Sequence, residues 1–119
     1  RLMEKVKKVA NKGYVPGLDG RRIIVRSEHA ALNSLLQGCG AIIAKQWCVE
    51  AHKTFKKQRL SVQQVAFVHD EIQIEAQKPD AETVASIMVA SARKAGEVLG
   101  FRCPVDAEAK IGNNWFDTH

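Results

Sequence analysis

The stretch Val65-Ala66-Phe67-Val68-His69-Asp70-Glu71-Ile72-Gln73-Ile74-Glu75 constrains the fold of this chain more than any other. Val65 to Val68 is short, continuous and apolar, the pattern of a strand buried on both faces. Strict alternation follows, with Ile72, Ile74 and Ala76 on one side and Glu71, Gln73 and Glu75 on the other, the period of a half-buried strand. His69-Asp70-Glu71 therefore falls where the chain must reverse, and Asp tolerates turn conformations well enough to allow this without Gly or Pro. A hairpin tip clamped by two strands holds a carboxylate more rigidly than a loop does, as a metal site or a general base requires. Acidic hairpin tips are most often plain solvated turns. Here the setting argues for more, because the charged tip follows a very apolar strand in a chain whose other half is strongly basic.

Residues 1–60 carry thirteen Lys/Arg against four Asp/Glu, and residues 61–119 carry five against nine, so the net +5 is a +9 half beside a −4 half. That division suits a phosphate-rich ligand approaching one side and metal cations held at the other, although solvated basic helices give the same totals. The 119 residues suffice for one domain or a piece of one. Arg1 stands inside a helical pattern, which reads as a fragment of a longer protein. No apolar run approaches the roughly 20 residues needed to span a membrane. No signal-like segment opens the chain, and no membrane partner is expected. Cys39, Cys48 and Cys103 are odd in number and lack CxxC spacing, so neither a zinc site nor a disulfide framework is expected. A reducing cytoplasm fits them best, and Cys39 and Cys48, which lie in a helical pattern, are expected in the core.

Along the chain, Leu2, Val6 and Val9 predict a helix that Gly13 ends. Asp19-Gly20 predicts a hairpin turn with a β-branched second arm, and Pro16 keeps the first arm at an edge. Arg21, Arg22 and Arg26 make this hairpin basic. Ser27 is placed as an N-cap, and no Pro interrupts the chain from Glu28 to about Arg59. Leu32, Leu35, Leu36, Cys39, Ile42, Ile43 and Trp47 form the apolar stripe of a long helix. On its other side His29, Asn33 and Gln37 recur every four residues as neutral hydrogen-bonding groups, where a solvated face would carry Lys and Glu. Amide side chains read base edges and sugars well because they both donate and accept. A mildly polar helix–helix interface explains the same spacing equally well. Gly38, Gly40, Ala41 and Ala44 allow another backbone to come close. Asp80 is placed as the N-cap of a second long helix buried through Val84, Ile87, Met88, Ala92, Ala95 and Leu99 and stopped by Gly100. Val105, Ala107, Ala109 and Ile111 alternate against Asp106, Glu108 and Lys110, which predicts a last strand after Pro104. Hairpins with helices packed between them define the expected fold class: α+β, an antiparallel β-sheet of hairpins packed with two main α-helices.

These blocks, in this order, resemble the C-terminal end of the palm of family A (Pol I-like) DNA polymerases, and within that family most closely the T-seven-type bacteriophage branch. The stretches that carry the resemblance are Gly17-Leu18-Asp19-Gly20-Arg21, Val25-Arg26-Ser27, His29-Ala30-Ala31-Leu32-Asn33, Leu35-Leu36-Gln37, Val68-His69-Asp70-Glu71-Ile72-Gln73, Phe101-Arg102-Cys103, and Gly112 with Asn114-Trp115 before His119. They span nearly the whole chain. The resemblance implies a part in template-directed DNA synthesis, a nucleotidyl transfer in DNA replication, with a DNA primer–template and dNTPs as partners. Asp70 matches the motif C aspartate that holds catalytic Mg2+, of which the complete enzyme uses two ions, and Glu71 matches its supporting acidic neighbour. His69 matches the residue lying against the primer terminus. Asn33 and Gln37 match helix residues touching the sugar and minor-groove edges of the new base pair, and His29 and Arg22 join them as DNA-binding candidates. Two hard cations with oxygen ligands activate the attacking 3′-hydroxyl and stabilise the leaving pyrophosphate in such a reaction.

The resemblance also marks what is missing. The family's second metal-binding aspartate (motif A), the fingers and any exonuclease domain belong to sequence before Arg1, so the upstream remainder of the polymerase chain is an implied partner, beside a processivity factor. The isolated chain is expected not to polymerise. His29 stands where more distant bacterial relatives carry Arg. The localisation implied is the cytoplasm of a bacterial host, for a phage or prophage protein. The rival reading keeps the fold without the chemistry, as a nucleic-acid-binding or assembly module using the basic half. A small metal-dependent phosphohydrolase would need more ligands around His69-Asp70, and His29, His52 and His119 show no tight ligand spacing.

Overall fold

Ser27 Oγ accepts the Ala30 amide at 3.2 Å and so starts the helix that dominates the chain, in a computed structural model that describes residues Arg1–His119. The element order is α1 (Leu2–Ala10), β1 (Tyr14–Pro16), β2 (Arg22–Ile24), α2 (Glu28–Gln58), β3 (Val62–Val68), β4 (Glu71–Ala76) and α3 (Ala81–Val98), with single 3₁₀ turns at Lys78–Asp80 and Phe116–Thr118. The α+β class holds. The strands form two separate antiparallel pairs, β1 with β2 and β3 with β4, rather than one sheet. The chain divides into two compact units, Arg1–Ile42 and Ile43–His119, and α2 supplies its first part to one and its second part to the other.

In the first unit, Gly13 ends α1 with φ +80°, and Gly20 takes φ +81° in the turn that pairs Tyr14 with Ile24 and Pro16 with Arg22. Val6, Ala10, Val15, Val25 and Ala31 form the core, with Ile23, Leu32 and Leu35 packed against it. Leu36 departs from the expected stripe and is 59% exposed. One residue past Leu35 on a 3.6-residue period, it has turned away from the side that meets α1 and the hairpin. Gly38 admits a close approach, as expected, but of a side chain: a Cβ there would lie 2.8 Å from Ile23 Cδ1.

In the second unit, α2 ends in a Schellman motif. Leu60 N bonds Phe55 O at 3.1 Å, Arg59 N bonds Lys56 O at 3.2 Å, and Arg59 takes φ +56°. Ala51, Phe55, Val84, Ile87 and Met88 form the core, packed against Trp47, Leu60, Val62, Ile72, Ile74 and Ala76. Trp47 Nε1 donates to Met88 O at 2.8 Å, tying α2 to α3 by a polar contact inside this apolar layer. Ile72, Ile74 and Ala76 thus point inward as their alternation predicts. Gly100, at φ +71°, stops α3. Asp80 stands at the N-cap of α3 but makes no side-chain cap bond, because the 3₁₀ turn through Lys78–Asp80 leads into the helix instead. Cys39 and Cys48 are half-buried rather than core, and all three cysteines are free.

Two expectations are corrected in this unit. Val65, Phe67 and Val68 are 52%, 46% and 41% exposed, so this strand is not buried on both faces. Its one strand partner is β4, and only one face of a two-stranded ribbon can rest on the core beneath. The second correction concerns residues 105–111, which form no strand. Their alternation is real, but a strand needs a neighbouring ladder for its amides and carbonyls, and none lies beside them. What fixes this segment is α3. Val105 packs onto Gly96, and Asp106 receives Arg93 Nε at 2.9 Å and Nη2 at 3.2 Å.

Candidate functional site

The turn that carries the acidic residues is two residues long. Val68 pairs with Glu71 as the last rung of the β3–β4 ladder, leaving His69 and Asp70 as the reversal itself. Asp70 was expected to supply the unusual backbone, but His69 adopts φ +57°, a left-handed conformation uncommon outside Gly and tolerated by His better than by most residues. Asp70 and His69 are both exposed, and Glu71, the first residue of β4, is half-buried. Further down the ribbon the register shifts between Gln64 and Ala66, a bulge that leaves Val65 unpaired.

Glu71 is the best-anchored of the three. Its Oε1 accepts from Gln73 Nε2 two residues along the same strand, and its Oε2 lies 3.3 Å from His119 Nε2. Gln73 Nε2 also reaches Thr118 Oγ1 at 3.5 Å. Gln73, Thr118 and His119 were not among the expected site residues. Gln73 had been read as outward-facing, and the contacts to the tail join residues 45 and 48 positions apart, which no local pattern encodes. Gln73 and His119 had entered only through the stretches that carry the family resemblance, and the tail's own signal was its run of turn-forming polar residues, Asn113, Asn114 and Asp117. These do brace the tail: Asn113 N bonds Asp117 Oδ2 at 2.9 Å and Asp117 N bonds Asn114 Oδ1 at 3.0 Å.

Beside β4 lies a cavity of about 640 Å³. The β4 residues Glu71–Ile74 and residues 106–112 line it, with Trp47, Asp70, Val84, Ala85 and Met88 among the rest of its lining. Arg93 beside Asp106 holds that carboxyl below its usual range. No group of three or more His, Cys, Asp or Glu side chains is placed to hold a metal ion. Asp70 offers the hard carboxylate oxygen that Mg2+ prefers, so the donor chemistry fits while the donor number falls short.

The other expected contact residues lie in the first unit. His29, Asn33 and Gln37 are all exposed, at successive four-residue steps along α2. Arg22, on β2, stacks its guanidinium over Tyr14 at 4.9 Å from the ring centroid. All four are accessible to a ligand, and three of them share one helix face.

Comparison with known proteins identifies the class. Residues 2–117 match the family model described as DNA polymerase family A. The chain is 39% identical over 113 residues to the DNA-directed DNA polymerase of Enterobacteria phage T3, covering 89% of this chain and 16% of that one. It is 38% identical over 116 residues to the DNA-directed DNA polymerase of Escherichia phage T7, with the same coverage, and 34% identical over 115 residues to DNA polymerase I of Aquifex aeolicus, covering 94% of this chain and 20% of that one. In fold it is similar to the POL domain of Pol1 from M. smegmatis, solved in complex with DNA primer-template and dNTP: the TM-score is 0.86 at 23% identity, covering 98% of this chain and 22% of that one. The chain belongs to DNA polymerase family A. It spans about one sixth of the length of the phage relatives it matches. No helix is long and apolar enough to cross a membrane.

Proposed function

We propose that this chain is the C-terminal part of a polymerase palm and that it serves template-directed DNA synthesis as part of a longer protein. The observation that carries the reading is the two-residue hairpin tip presenting Asp70, on a chain that belongs to this family. Asp70 is the carboxylate that ligates Mg2+ in the complete enzyme, and Glu71 supports the tip. The ions, when bound, lower the barrier to attack by the primer 3′-hydroxyl on the α-phosphorus of a dNTP. The residues of this chain contribute position: His69 lies against the primer terminus, and Asn33 and Gln37 offer amides to minor-groove acceptors that hardly vary with sequence. His29 and Arg22 add contacts to the DNA. The protein works in the cytoplasm of a bacterial host.

The cavity beside β4 supports the palm reading. The edge of β4 away from β3 and residues 106–112, neither paired to a strand, flank one gap lined in part by Trp47, Val84 and Met88, an environment that suits a central strand. We assign the gap to a strand from elsewhere in the longer polymerase chain, bearing the second metal-binding carboxylate. The 119-residue chain by itself then holds too few ligands for two ions and does not incorporate dNTPs. Asp70→Asn in the complete polymerase tests the assignment. Extension falls by about a thousandfold or more while primer–template binding persists, whereas extension within about tenfold of the unsubstituted enzyme removes Asp70 from the metal site.

A further inference from the structure

We propose that the exposed face of α2 in the second unit is a binding track for single-stranded DNA, carried by Lys45, His52, Lys56 and Arg59. This rests on the polymerase reading above, which supplies an unpaired template strand. At the helical repeat Lys45, Val49, His52 and Lys56 fall within about 60° of arc and extend for about 16 Å. All four are exposed, and Arg59, also exposed, stands just past the end of the helix. The ion pairs of this unit are Lys53–Glu50, Arg93–Asp106, Lys94–Glu97 and the His119–Glu71 contact, so Lys45, Lys56 and Arg59 carry unpaired charge. Glu50 is the one acidic residue between Lys45 and Arg59. It is turned about 140° from Lys45, and its carboxylate is engaged by Gln46 Nε2 at 2.8 Å and Lys53 Nζ at 2.9 Å.

Helix electrostatics alone does not account for the row. Cations in a last turn favour the negative end of the helix dipole, which covers Lys56 and Lys57 but not Lys45, about three turns earlier. Arg59 is a costlier choice still. It takes φ +56° just after the cap of the Schellman motif, where Gly is the ordinary occupant, so the chain holds a cation where the backbone favours none. Between the cations, Val49 and the His52 imidazole give an apolar surface and a flat ring, on which unpaired bases can rest while the cations meet the phosphates. A convex helix face with that interleaving suits a splayed single strand. A duplex keeps its bases stacked inside and would leave Val49 and His52 without partners.

The test is made in the complete polymerase, by binding primer–templates whose single-stranded template overhang is either about 4 or about 40 nucleotides long. Lys45→Gln, Lys56→Gln and Arg59→Gln combined are expected to raise the Kd for the long overhang about tenfold. They also lower its salt slope by about 2, since each single-strand phosphate contact contributes roughly 0.7. The Kd for the short overhang, and kcat on it, stay within about twofold. Arg59→Gly alone is expected to raise the long-overhang Kd about threefold while Tm holds or rises, which separates a lost cation from a damaged fold. An unchanged long-overhang Kd and salt slope in the triple variant, or equal weakening with both overhangs, would overturn the proposal. So would poly-glutamate displacing unprimed oligothymidylate as well as the same oligonucleotide does at equal charge, which would mark an acidic polypeptide as the occupant. The unprimed strand also separates the two readings. A complete enzyme that cannot extend primers, yet loses oligothymidylate binding in the triple variant, overturns the polymerase reading and keeps the track.

Discussion

Val105 sits so close to Gly96 that a Cβ on the glycine would lie 2.8 Å from Val105 Cγ2 and 2.9 Å from its Cβ. This contact, together with the Arg93–Asp106 pair, anchors the start of residues 105–111 on α3 in the absence of any strand ladder. The glycine is thus a packing requirement within a helix, where it would otherwise only weaken the helix.

Gly96→Ala is therefore expected to destabilise the 119-residue chain by about 1–3 kcal/mol, because Val105 Cβ cannot move without its backbone. Gly40, also in a helix, has nothing within 4 Å of a built Cβ. Gly40→Ala is expected to stabilise by about 0.5–1 kcal/mol through helix propensity alone. Thermal melts of the two variants against the parent check both signs.

The Arg93–Asp106 pair predicts a pH dependence. The Arg93 hydrogen bond holds the Asp106 carboxyl below its usual 3.8, so its folded pKa is the depressed one. Its stabilising contribution is then fully present above 3.8 and is lost as the pH falls through the folded value. Arg93→Gln should flatten that part of the acid limb of a plot of Tm against pH and leave the neutral region almost unchanged. Both groups are exposed, so the effect is small and also fades with added salt.

Local chemistry was legible in the sequence. The Asp19-Gly20 turn, the Ser27 cap, the Gly100 stop and the inward side of β4 each depend on residues a few positions apart, and each folds as read. What depended on a partner was not legible. The run Val65–Val68 looks like a buried strand because its composition says so, but burial is decided by what lies above it. Residues 105–111 alternate like a strand, but no neighbouring ladder lies beside them to make them one. Of the candidate site, the place of Asp70 in a hairpin turn was readable, whereas the contact between His119 and Glu71 joins residues 48 positions apart and leaves no periodic trace.

The α2 amide stripe gives a prediction about fidelity. Gln37→Ala in the complete enzyme is expected to slow extension moderately, by about threefold to tenfold, through the loss of one minor-groove hydrogen bond. It should also narrow the gap in rate between matched and mispaired primer ends. Single-turnover extension from both kinds of terminus measures this. If the discrimination ratio is unchanged, Gln37 does not sense the pair.

The most direct test of the central claim is primer extension by three proteins side by side: the complete polymerase chain, the same chain with Asp70→Asn, and the 119-residue chain alone. The account predicts Mg2+-dependent extension in the first only, with primer–template bound equally well by the first two. Extension by the Asp70→Asn protein at a rate near that of the unsubstituted enzyme would contradict it, and so would dNTP incorporation by the 119-residue chain.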